Sequence, residues 1–317
     1  MAAPPPEEGS FTTTDGEKLY TKTWRATPGA VKARLVFIHG FSDHCNNYDD
    51  LFPALAENGI TVYSFDQRGW GRSVDKPAKK GLTGPTSLVL NDITDFIKQL
   101  PTDDSQSPLF LMGHSMGGAE VVHYIASGPT EILSSIRGFL LESPFISVHP
   151  STRPSSITVT LGRLAGRILP HRQMVNKLDP KKICRDPVAC QAYVDDPLCH
   201  DTGTLEGLAG MLDRADELQH GRAVVKEGMG EGGKTRLWCG HGTSDMICDY
   251  ETCRKWYDGV EIEDKEMRVY EGWYHRLHAE PGEDKVKFRG DMTKWIFDRC
   301  GEDVQGQTAA SGERSRL

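Results

Sequence analysis

The chain has 317 residues, of which 38% are hydrophobic, and its formal net charge is −8 at pH 7. This size and composition predict one large α/β domain with an insertion, or two small domains. The acidic balance and the lack of a basic stripe exclude nucleic acid as the main partner. No run approaches the ~18 apolar residues of a membrane span. Residues 1–10 lack the basic and apolar parts of a signal peptide, so we expect an intracellular protein.

The predicted elements alternate between strands and helices over most of the chain. After a disordered N-terminus of residues 1–10, Asp15-Gly16 predicts a hairpin turn. Apolar runs predict strands buried on both faces, and apolar residues at helical spacing predict the helices. This alternation predicts a mostly parallel central sheet with helices on both faces. The predicted strands cover residues 35–38, 60–65, 109–112, 136–141, 235–239 and 267–270, and the predicted helices cover 47–58, 88–100, 250–257 and 285–298.

Residues 143–234, which we call the cap, break the alternation. They show helical patterns at residues 156–169, 187–194 and 205–218 but no convincing pair of strands. A stretch of this length is not a plain loop, so we expect a helical cap inserted after the sixth strand. The first and third patterns each have an apolar face, and these faces are equally compatible with packing on the domain below and with contact to lipid. The first face consists of Ile157, Leu161, Leu164 and Ile168, and the other consists of Leu205, Leu208, Leu212, Ala215 and Leu218.

The limits of the cap also set the expected limits of the core and of the C-terminal tail. The core is expected to comprise residues 11–142 and 235–300, with the cap between them. Residues 301–317 are polar and Gly-rich, which predicts a flexible C-terminal tail. The eight cysteines do not follow metal-site spacing, so we expect reduced thiols and no metal.

A nucleophile motif stands at Gly113-His114-Ser115-Met116-Gly117. It follows the predicted strand 109–112 and precedes a helical pattern that ends at Gly128. A serine between two such glycines is typical of a sharp strand-to-helix turn that exposes the hydroxyl above the sheet. We therefore predict Ser115 as a catalytic nucleophile.

A serine hydroxyl needs a base, and the base needs an acid to orient it. In this type of fold the chain order is Ser, acid, His, and loops after strands supply all three. Asp245, after the predicted strand 235–239, is the preferred acid; its rival Asp249 is better placed as a helix N-cap. After the strand 267–270, both His275 and His278 are candidates for the base. His275 is preferred because it lies closer to the strand end.

The reaction also needs two N–H donors for a tetrahedral oxyanion. The residue after the nucleophile, Met116, supplies one. The loop after the strand 35–38 supplies the other, and the N–H of Phe41 is the candidate. The Phe41 ring is expected to line the acyl pocket.

Several of these segments together resemble the α/β-hydrolase family, and in particular its monoacylglycerol lipase group of fungal type. The resemblance spans residues 10–300 and is weakest within the cap. It implies a Ser115–His275–Asp245 triad that hydrolyses lipid esters through an acyl-enzyme, with no cofactor and no metal ion. Monoacylglycerol, cleaved to fatty acid and glycerol, is the implied substrate. The segments that carry the resemblance are Phe37-Ile38-His39-Gly40-Phe41, Asp66-Gln67-Arg68-Gly69-Trp70-Gly71-Arg72-Ser73, Gly113-His114-Ser115-Met116-Gly117-Gly118, Gly242-Thr243-Ser244-Asp245 and Tyr270-Glu271-Gly272-Trp273-Tyr274-His275-Arg276-Leu277-His278.

Other functions remain open at this stage. A general carboxylesterase or an acyl thioesterase would use the same triad. An acyltransferase is less favoured, because only the spacing of His44 and Asp49 suggests one. A non-catalytic small-molecule-binding relative is the alternative from another class.

Two partners beyond the substrate are also expected. An apolar cap would allow peripheral contact with a membrane or a lipid droplet. The chain ends in Ser315-Arg316-Leu317, which resembles the S-K-L address read by the peroxisomal import receptor. The expected location is therefore the cytoplasm, a lipid surface or the peroxisome.

Overall fold

The computed structural model of the chain describes residues 3–27, 31–153 and 155–301. Mostly apolar segments form the central strands at residues 60–65 and 109–114, in which every residue is buried. The strands, in chain order, are β1 (Glu7–Thr12), β2 (Lys18–Trp24), β3 (Ala33–Ile38), β4 (Ile60–Phe65), β5 (Leu109–His114), β6 (Ile136–Glu142), β7 (Gln173–Val175), β8 (Thr202–Thr204), β9 (Arg236–Gly242) and β10 (Asp264–Tyr270).

Helices connect most of these strands. They are α1 (Phe52–Glu57), α2 (Thr86–Lys98), α3 (Met116–Ser127), α4 (Thr130–Leu133), α5 (Ser156–Ile168), α6 (Pro187–Asp195), α7 (Leu205–Gln219), α8 (Tyr250–Asp258) and α9 (Glu283–Asp298). Within the described residues, no helix is both long enough and apolar enough to cross a membrane.

The large sheet has the strand order β1-β2-β4-β3-β5-β6-β9-β10. From β4 to β10 all neighbours are parallel, whereas β2 pairs antiparallel with both β1 and β4. Every residue of β5 is buried. Its alternate side chains, such as Leu111 and Met112, enter two different apolar clusters. One cluster includes residues of α2, α3 and α8, and the other includes residues of α1 and α9. The predicted α/β-hydrolase fold, with helices on both faces of the sheet, is therefore confirmed.

The structure corrects two local predictions. Residues 7–10 are not disordered, because β1 pairs with β2 in register from Glu7 opposite Thr23 to Thr12 opposite Lys18. The helix predicted at residues 47–58 is split into a short 3-10 turn and α1. Pro53 lies in the first turn of α1, where its missing N–H costs no helix hydrogen bond, so the α-helix begins there. The predicted tail lies outside the described residues from position 302 onward.

The cap elements follow β6 directly and include α5, α6, α7 and the small β7–β8 sheet. Many polar contacts join this segment to the core, and two of them lie close to the carboxyl edge of the sheet. His44 Nε2 lies 2.8 Å from Asp196 Oδ2, and Arg214 on α7 donates to Glu120 on α3 at 3.0 Å. The cap therefore sits over the carboxyl edge of the sheet, where α3 begins.

Candidate active site

Ser115 occupies the turn between β5 and α3. Its backbone has φ 54° and ψ −117°, a conformation that side-chain-bearing residues rarely adopt. The flanking glycines make this turn possible. A Cβ on Gly113 would lie 2.2 Å from the Gly117 carbonyl oxygen, and one on Gly117 would lie 2.2 Å from the Ile38 carbonyl oxygen. The strained turn places the Ser115 side chain at the floor of a cavity.

Asp245 and His275 form a hydrogen-bonded pair beside this turn. Asp245 follows β9 and His275 follows β10, which are parallel neighbours, so their carboxyl ends meet. His275 Nδ1 donates to Asp245 Oδ2 at 2.7 Å, and both side chains are buried. Burial raises the pKa of Asp245, but the charge and hydrogen bond of His275 outweigh it and hold the pKa below its ordinary value. Asp245 is thus a carboxylate that keeps the Nδ1 proton on His275.

Ser115 lies near this pair without a direct hydrogen bond to it. Among the described residues, Ser115 Oγ makes no hydrogen bond to His275, and its polar partner is the Cys248 thiol, with Sγ at 3.9 Å. Cys248 Sγ also lies within 4.8 Å of the ligating atoms of His275 and Asp245. One thiol therefore neighbours all three residues, which places Ser115 next to the pair. Nucleophile–base hydrogen bonds are often loose in unliganded enzymes.

The structure separates the preferred residues from their rivals. Asp249 caps α8 and accepts a hydrogen bond from the N–H of Thr252, which is the role predicted for it. His278 does not reach Asp245, and its Nδ1 lies 2.7 Å from Glu142 Oε1. His241 is fully buried, with Nε2 3.9 Å from Asp245 Oδ2.

A buried cluster below His275 was missed by the sequence analysis. Glu142, at the end of β6, is fully buried and accepts hydrogen bonds from the backbone N–H and Nδ1 of His278. Burial raises the pKa of Glu142, but His278 and His114 outweigh it and lower the pKa to about 2. Burial lowers the pKa of His114 to about 3, so this ring stays neutral. Its centroid lies 4.8 Å from that of His275. The signal in the sequence was a carboxylate at the end of a strand, directly after the apolar run Phe139-Leu140-Leu141.

The expected oxyanion donors face the nucleophile turn. Met116 is the first residue of α3, where a helix has no internal partner for its N–H groups. In the described part of the chain, the N–H of Phe41 makes no hydrogen bond. Gly40 brings the two segments together, because a Cβ there would lie only 3.1 Å from Ser115 Cβ. Both N–H groups are therefore free to bind an oxygen beside Ser115.

A cavity of about 430 Å³ opens above Ser115. Its lining is mostly apolar, and its floor contains Ser115, Met116 and Phe41. One wall is formed by α7, and residues of α5 and of the segment 174–182 also line the cavity. The α7 side chains in the wall are Leu205, Leu208, Ala209, Met211 and Leu212. The cavity suits a flexible apolar chain attached to a carbonyl that reaches the floor.

Metal-ligating side chains also come together at the site. Within the described residues, three groups bring such atoms within 4.8 Å of one another, two of them centred on Asp245–His275 and Glu142–His278 and the third on His44–Asp196. In each group a histidine nitrogen already lies 2.7 or 2.8 Å from a carboxylate oxygen. Internal hydrogen bonding accounts for these arrangements without an ion.

Comparison with known proteins places the chain among hydrolases. Residues 29–282 match the family model described as serine aminopeptidase, S33. A Schizosaccharomyces pombe protein, provisionally named monoglyceride lipase, is 34% identical over 88% of this chain and 71% of its own length. A monoacylglycerol lipase of Mycolicibacterium smegmatis is 28% identical over 91% of this chain and 96% of its own length.

A solved structure gives the same result. The crystal structure of a soluble variant of Saccharomyces cerevisiae monoglyceride lipase, in complex with a substrate analog, superposes with a TM-score of 0.82. The two chains are 26% identical, and the match covers 93% of this chain and 97% of the yeast chain. The likeness therefore extends through the cap as well as the core.

Proposed function

Because the chain belongs to the serine aminopeptidase S33 family of α/β hydrolases, we propose that it is a serine esterase that cleaves monoacylglycerols to fatty acid and glycerol. The catalytic residues of this proposal are Ser115, His275 and Asp245. One observation carries it: a strained serine beside a buried Asp–His pair forms the floor of a mostly apolar cavity. The substrates named for its relatives support the choice of monoacylglycerol.

In the proposed reaction each of the three residues has a defined role. Ser115 Oγ attacks the ester carbonyl while His275 Nε2 accepts its proton. Asp245 stabilises the imidazolium that forms, because its carboxylate already binds the Nδ1 proton. His275 then gives the proton to the leaving glycerol oxygen, which leaves an acyl-enzyme. A water molecule, deprotonated by His275, releases the fatty acid and restores Ser115.

Two N–H groups stabilise the charge that develops in these steps. The carbonyl oxygen becomes an oxyanion at each tetrahedral intermediate and accepts hydrogen bonds from Phe41 and Met116. The closeness of Gly40 to Ser115 keeps both donors near the reacting carbon. The acyl chain lies along α7 in the cavity. Removing one such donor typically costs about 10²–10³ in rate.

The deciding experiment is hydrolysis of a monoacylglycerol series from short to long chains, run beside matched p-nitrophenyl esters. Ser115→Ala is expected to lower kcat by at least about 10³-fold. Ser127→Ala, at the far end of the same helix, is the matched control and is expected to retain activity. Turnover of short activated esters alone would identify a general carboxylesterase. Lack of activity in the wild-type protein, together with failure to react with a fluorophosphonate, would identify a binding protein.

We also propose that the cap contacts a lipid surface through α5. The side chains of Ile157, Leu161, Leu164 and Ile168 share one face of this helix, and they are 54–73% exposed. Met174 is also exposed, and it is one of the residues that line the cavity. An apolar face of this size next to a lipid-binding cavity indicates an interface with the source of the substrate.

The distribution of charge supports contact of α5 with a lipid surface and indicates the type of lipid. Residues 151–185 contain eight lysines and arginines but only one acidic residue, Asp179, whereas the whole chain has a net charge of −8. Arg167, Arg172 and Lys177 are exposed, and in the described residues none of them lies in an ion pair. These cations lie beside the apolar face, so a surface that carries anionic headgroups is the complementary partner.

The C-terminal tripeptide Ser315-Arg316-Leu317 lies outside the described residues, and its use as a peroxisomal address stays a proposal from the sequence. Imaging a protein that carries a fluorescent tag at its N-terminus tests it. Punctate peroxisomal signal that becomes diffuse when residues 315–317 are deleted supports the address. The same diffuse signal from both forms contradicts it.

A further inference from the structure

A buried ion pair joins the cavity wall to the nucleophile helix. Arg214 on α7 donates through Nη2 to Glu120 Oε1 on α3 at 3.0 Å, and the two side chains are 3% and 1% exposed. A second link lies one turn along α3, where His123 Nε2 lies 3.0 Å from the Arg214 carbonyl oxygen. Both links act on the face of α7 that lies opposite the cavity. They therefore determine how closely the cavity wall approaches α3.

The pair is incompletely satisfied. Glu120 Oε2 and Arg214 Nε are buried, and in the described residues they have no hydrogen-bond partner. Burying two charges costs free energy that their attraction often fails to offset, and apolar replacements of similar size are often neutral or stabilising. Stability alone does not explain this pair, so a functional reason is expected.

Neighbouring contacts connect Glu120 to residues 39–41, the loop that carries the Phe41 N–H donor. The Gln67 amide lies beside Glu120 and lowers its pKa, and Gln67 Nε2 donates to the His39 carbonyl oxygen at 2.8 Å. The backbone N–H of Gln67 donates to His39 Nε2 at 2.9 Å, directly before Gly40. The Glu120 carboxylate thus contacts the helix that forms the acyl wall directly, and it is linked through Gln67 to the segment that carries the Phe41 donor.

We propose that the Glu120–Arg214 pair is a positioning device, which fixes α7 against α3 and thereby sets the preference of the esterase for long acyl chains. The proposal rests on the proposed function, because it concerns the same cavity. A short acyl group ends near the floor at Ser115 and does not need the α7 wall. A long chain lies along α7, so its binding depends on where α7 is held.

The same pair makes chain-length selectivity depend on pH. Burial raises the pKa of Glu120 to about 7, and Arg214 and Gln67 only partly oppose this. The other charged group facing Glu120 is Asp92 on α2, which raises the pKa further. Arg214 stays charged at all relevant pH values. As the pH falls through about 7, Glu120 becomes neutral and the charge attraction that holds α7 against α3 weakens.

The test is the ratio of kcat/KM for p-nitrophenyl decanoate to that for p-nitrophenyl butyrate, measured between about pH 6 and pH 8. Because both esters need the same Ser115 and His275, titration of the catalytic groups cancels in this ratio. In the wild-type protein we expect the ratio to fall at least about fivefold toward the acid end, mainly through KM for the decanoate. Glu120→Gln is expected to give the low ratio at every pH.

A second variant distinguishes loss of the ion pair from unfolding of the protein. Glu120→Met combined with Arg214→Met replaces both charges by apolar side chains of similar length, so the fold should survive. Its ratio is expected to be independent of pH. Arg254→Gln, which breaks an exposed pair with Asp258 on α8, is the matched control and should keep the wild-type profile. Hydrogen exchange at one fixed pH should be faster in α7 of Glu120→Gln, with α8 as the internal reference.

The outcomes separate this inference from the proposed function. A wild-type protein that hydrolyses both esters with a ratio independent of pH overturns the pH dependence, and the same ratio in wild type and Glu120→Gln at pH 8 overturns the positioning role; both results leave the esterase intact. Retention of the wild-type pH profile by the double variant also overturns the positioning role. Loss of activity toward both esters in the wild-type protein contradicts the proposed function itself.

Discussion

Asp245 Oδ2 lies 2.7 Å from His275 Nδ1, although the two residues are thirty positions apart in the chain. The contact exists because β9 and β10 are parallel neighbours whose carboxyl ends meet at one edge of the sheet. Both side chains are buried, so water does not weaken the hydrogen bond. This pair is the electrostatic centre of the proposed active site.

Asp245→Asn is expected to lower kcat by about 10⁴-fold while the thermal unfolding temperature changes little. The amide keeps the shape of the side chain but does not hold a proton on His275 Nδ1 or stabilise the imidazolium. Steady-state kinetics with a short-chain ester would measure the loss. An Asp249→Asn variant, changed at the α8 cap, should keep most of the activity. Equal losses in both variants would contradict the assignment of Asp245.

Glu142→Gln is expected to lower the free energy of unfolding by about 3–5 kcal/mol at pH 7. The pKa of Glu142 is lowered from 4.5 to about 2 in the folded protein. Its ionisation therefore contributes stability above pH 4.5, and this contribution is lost as the pH falls toward 2. Denaturant unfolding of both proteins should show a difference that shrinks through this window. Glu251→Gln, at an exposed position of α8, should change stability by less than about 0.5 kcal/mol.

Gly117→Ala is expected to destabilise the protein by about 1–3 kcal/mol or more and to distort the nucleophile turn. The new Cβ would lie 2.2 Å from the Ile38 carbonyl oxygen and 2.6 Å from that of His39. Gly290→Ala in α9 is the matched control, because no atom lies within 4 Å of its new Cβ. The control should stabilise the helix by about 0.5–1 kcal/mol. Thermal unfolding and fluorophosphonate labelling of both variants would measure the effects.

The exposed apolar face of α5, together with the cations Arg167, Arg172 and Lys177, predicts that the protein binds anionic vesicles. Wild-type protein should co-sediment with vesicles containing phosphatidylglycerol more strongly than with pure phosphatidylcholine, and added salt should weaken this preference. Leu161→Asp should reduce binding to both vesicles, because it places a charge on the apolar face. Arg167→Glu should remove mainly the preference for the anionic vesicle.

The control for vesicle binding is Lys294→Glu in α9, which makes the same change of charge outside the cap. It should bind both vesicles like the wild-type protein. If Leu161→Asp, shown to be folded by thermal unfolding, binds as strongly as the wild type, α5 is not the docking face. Equal loss of binding in Lys294→Glu and Arg167→Glu would indicate attraction by net charge rather than by the cap.

Local patterns were sufficient for the fold class. Strand and helix signals lie within single segments, and unbroken apolar runs such as residues 109–112 can be stable only in a sheet covered on both sides. The position of the Ser115 turn also followed from the sequence, because its steric requirement for glycine at two nearby positions is local. The order of acid and base along the chain left two candidates for the acid, Asp245 and Asp249, and two for the base, His275 and His278.

The sequence also favoured Asp245 and His275 within those candidates, but the contacts that distinguish them, and the surroundings of the site, depend on the tertiary structure. Asp249 and Asp245 are both short carboxylates after the same strand, and the packing of β9 against β10 brings Asp245 to His275 while Asp249 caps α8. Position relative to the strand end favoured His275 over His278, and the structure gives the physical reason: His278 bonds to Glu142, which lies 136 residues away in the chain. Such contacts join distant segments, and the sequence period of each segment carries no information about them.

The cap shows the same division between sequence and structure. By itself the sequence determined that Ile157, Leu161, Leu164 and Ile168 share a helix face, because the period of a helix is a local property. Only the tertiary structure decided that this face is exposed while α7 forms the cavity wall. The same is true of Glu120 and Arg214, which are ordinary charged residues in the sequence. Their exclusion from water results from the packing of α7 on α3, and burial is a property of the whole fold.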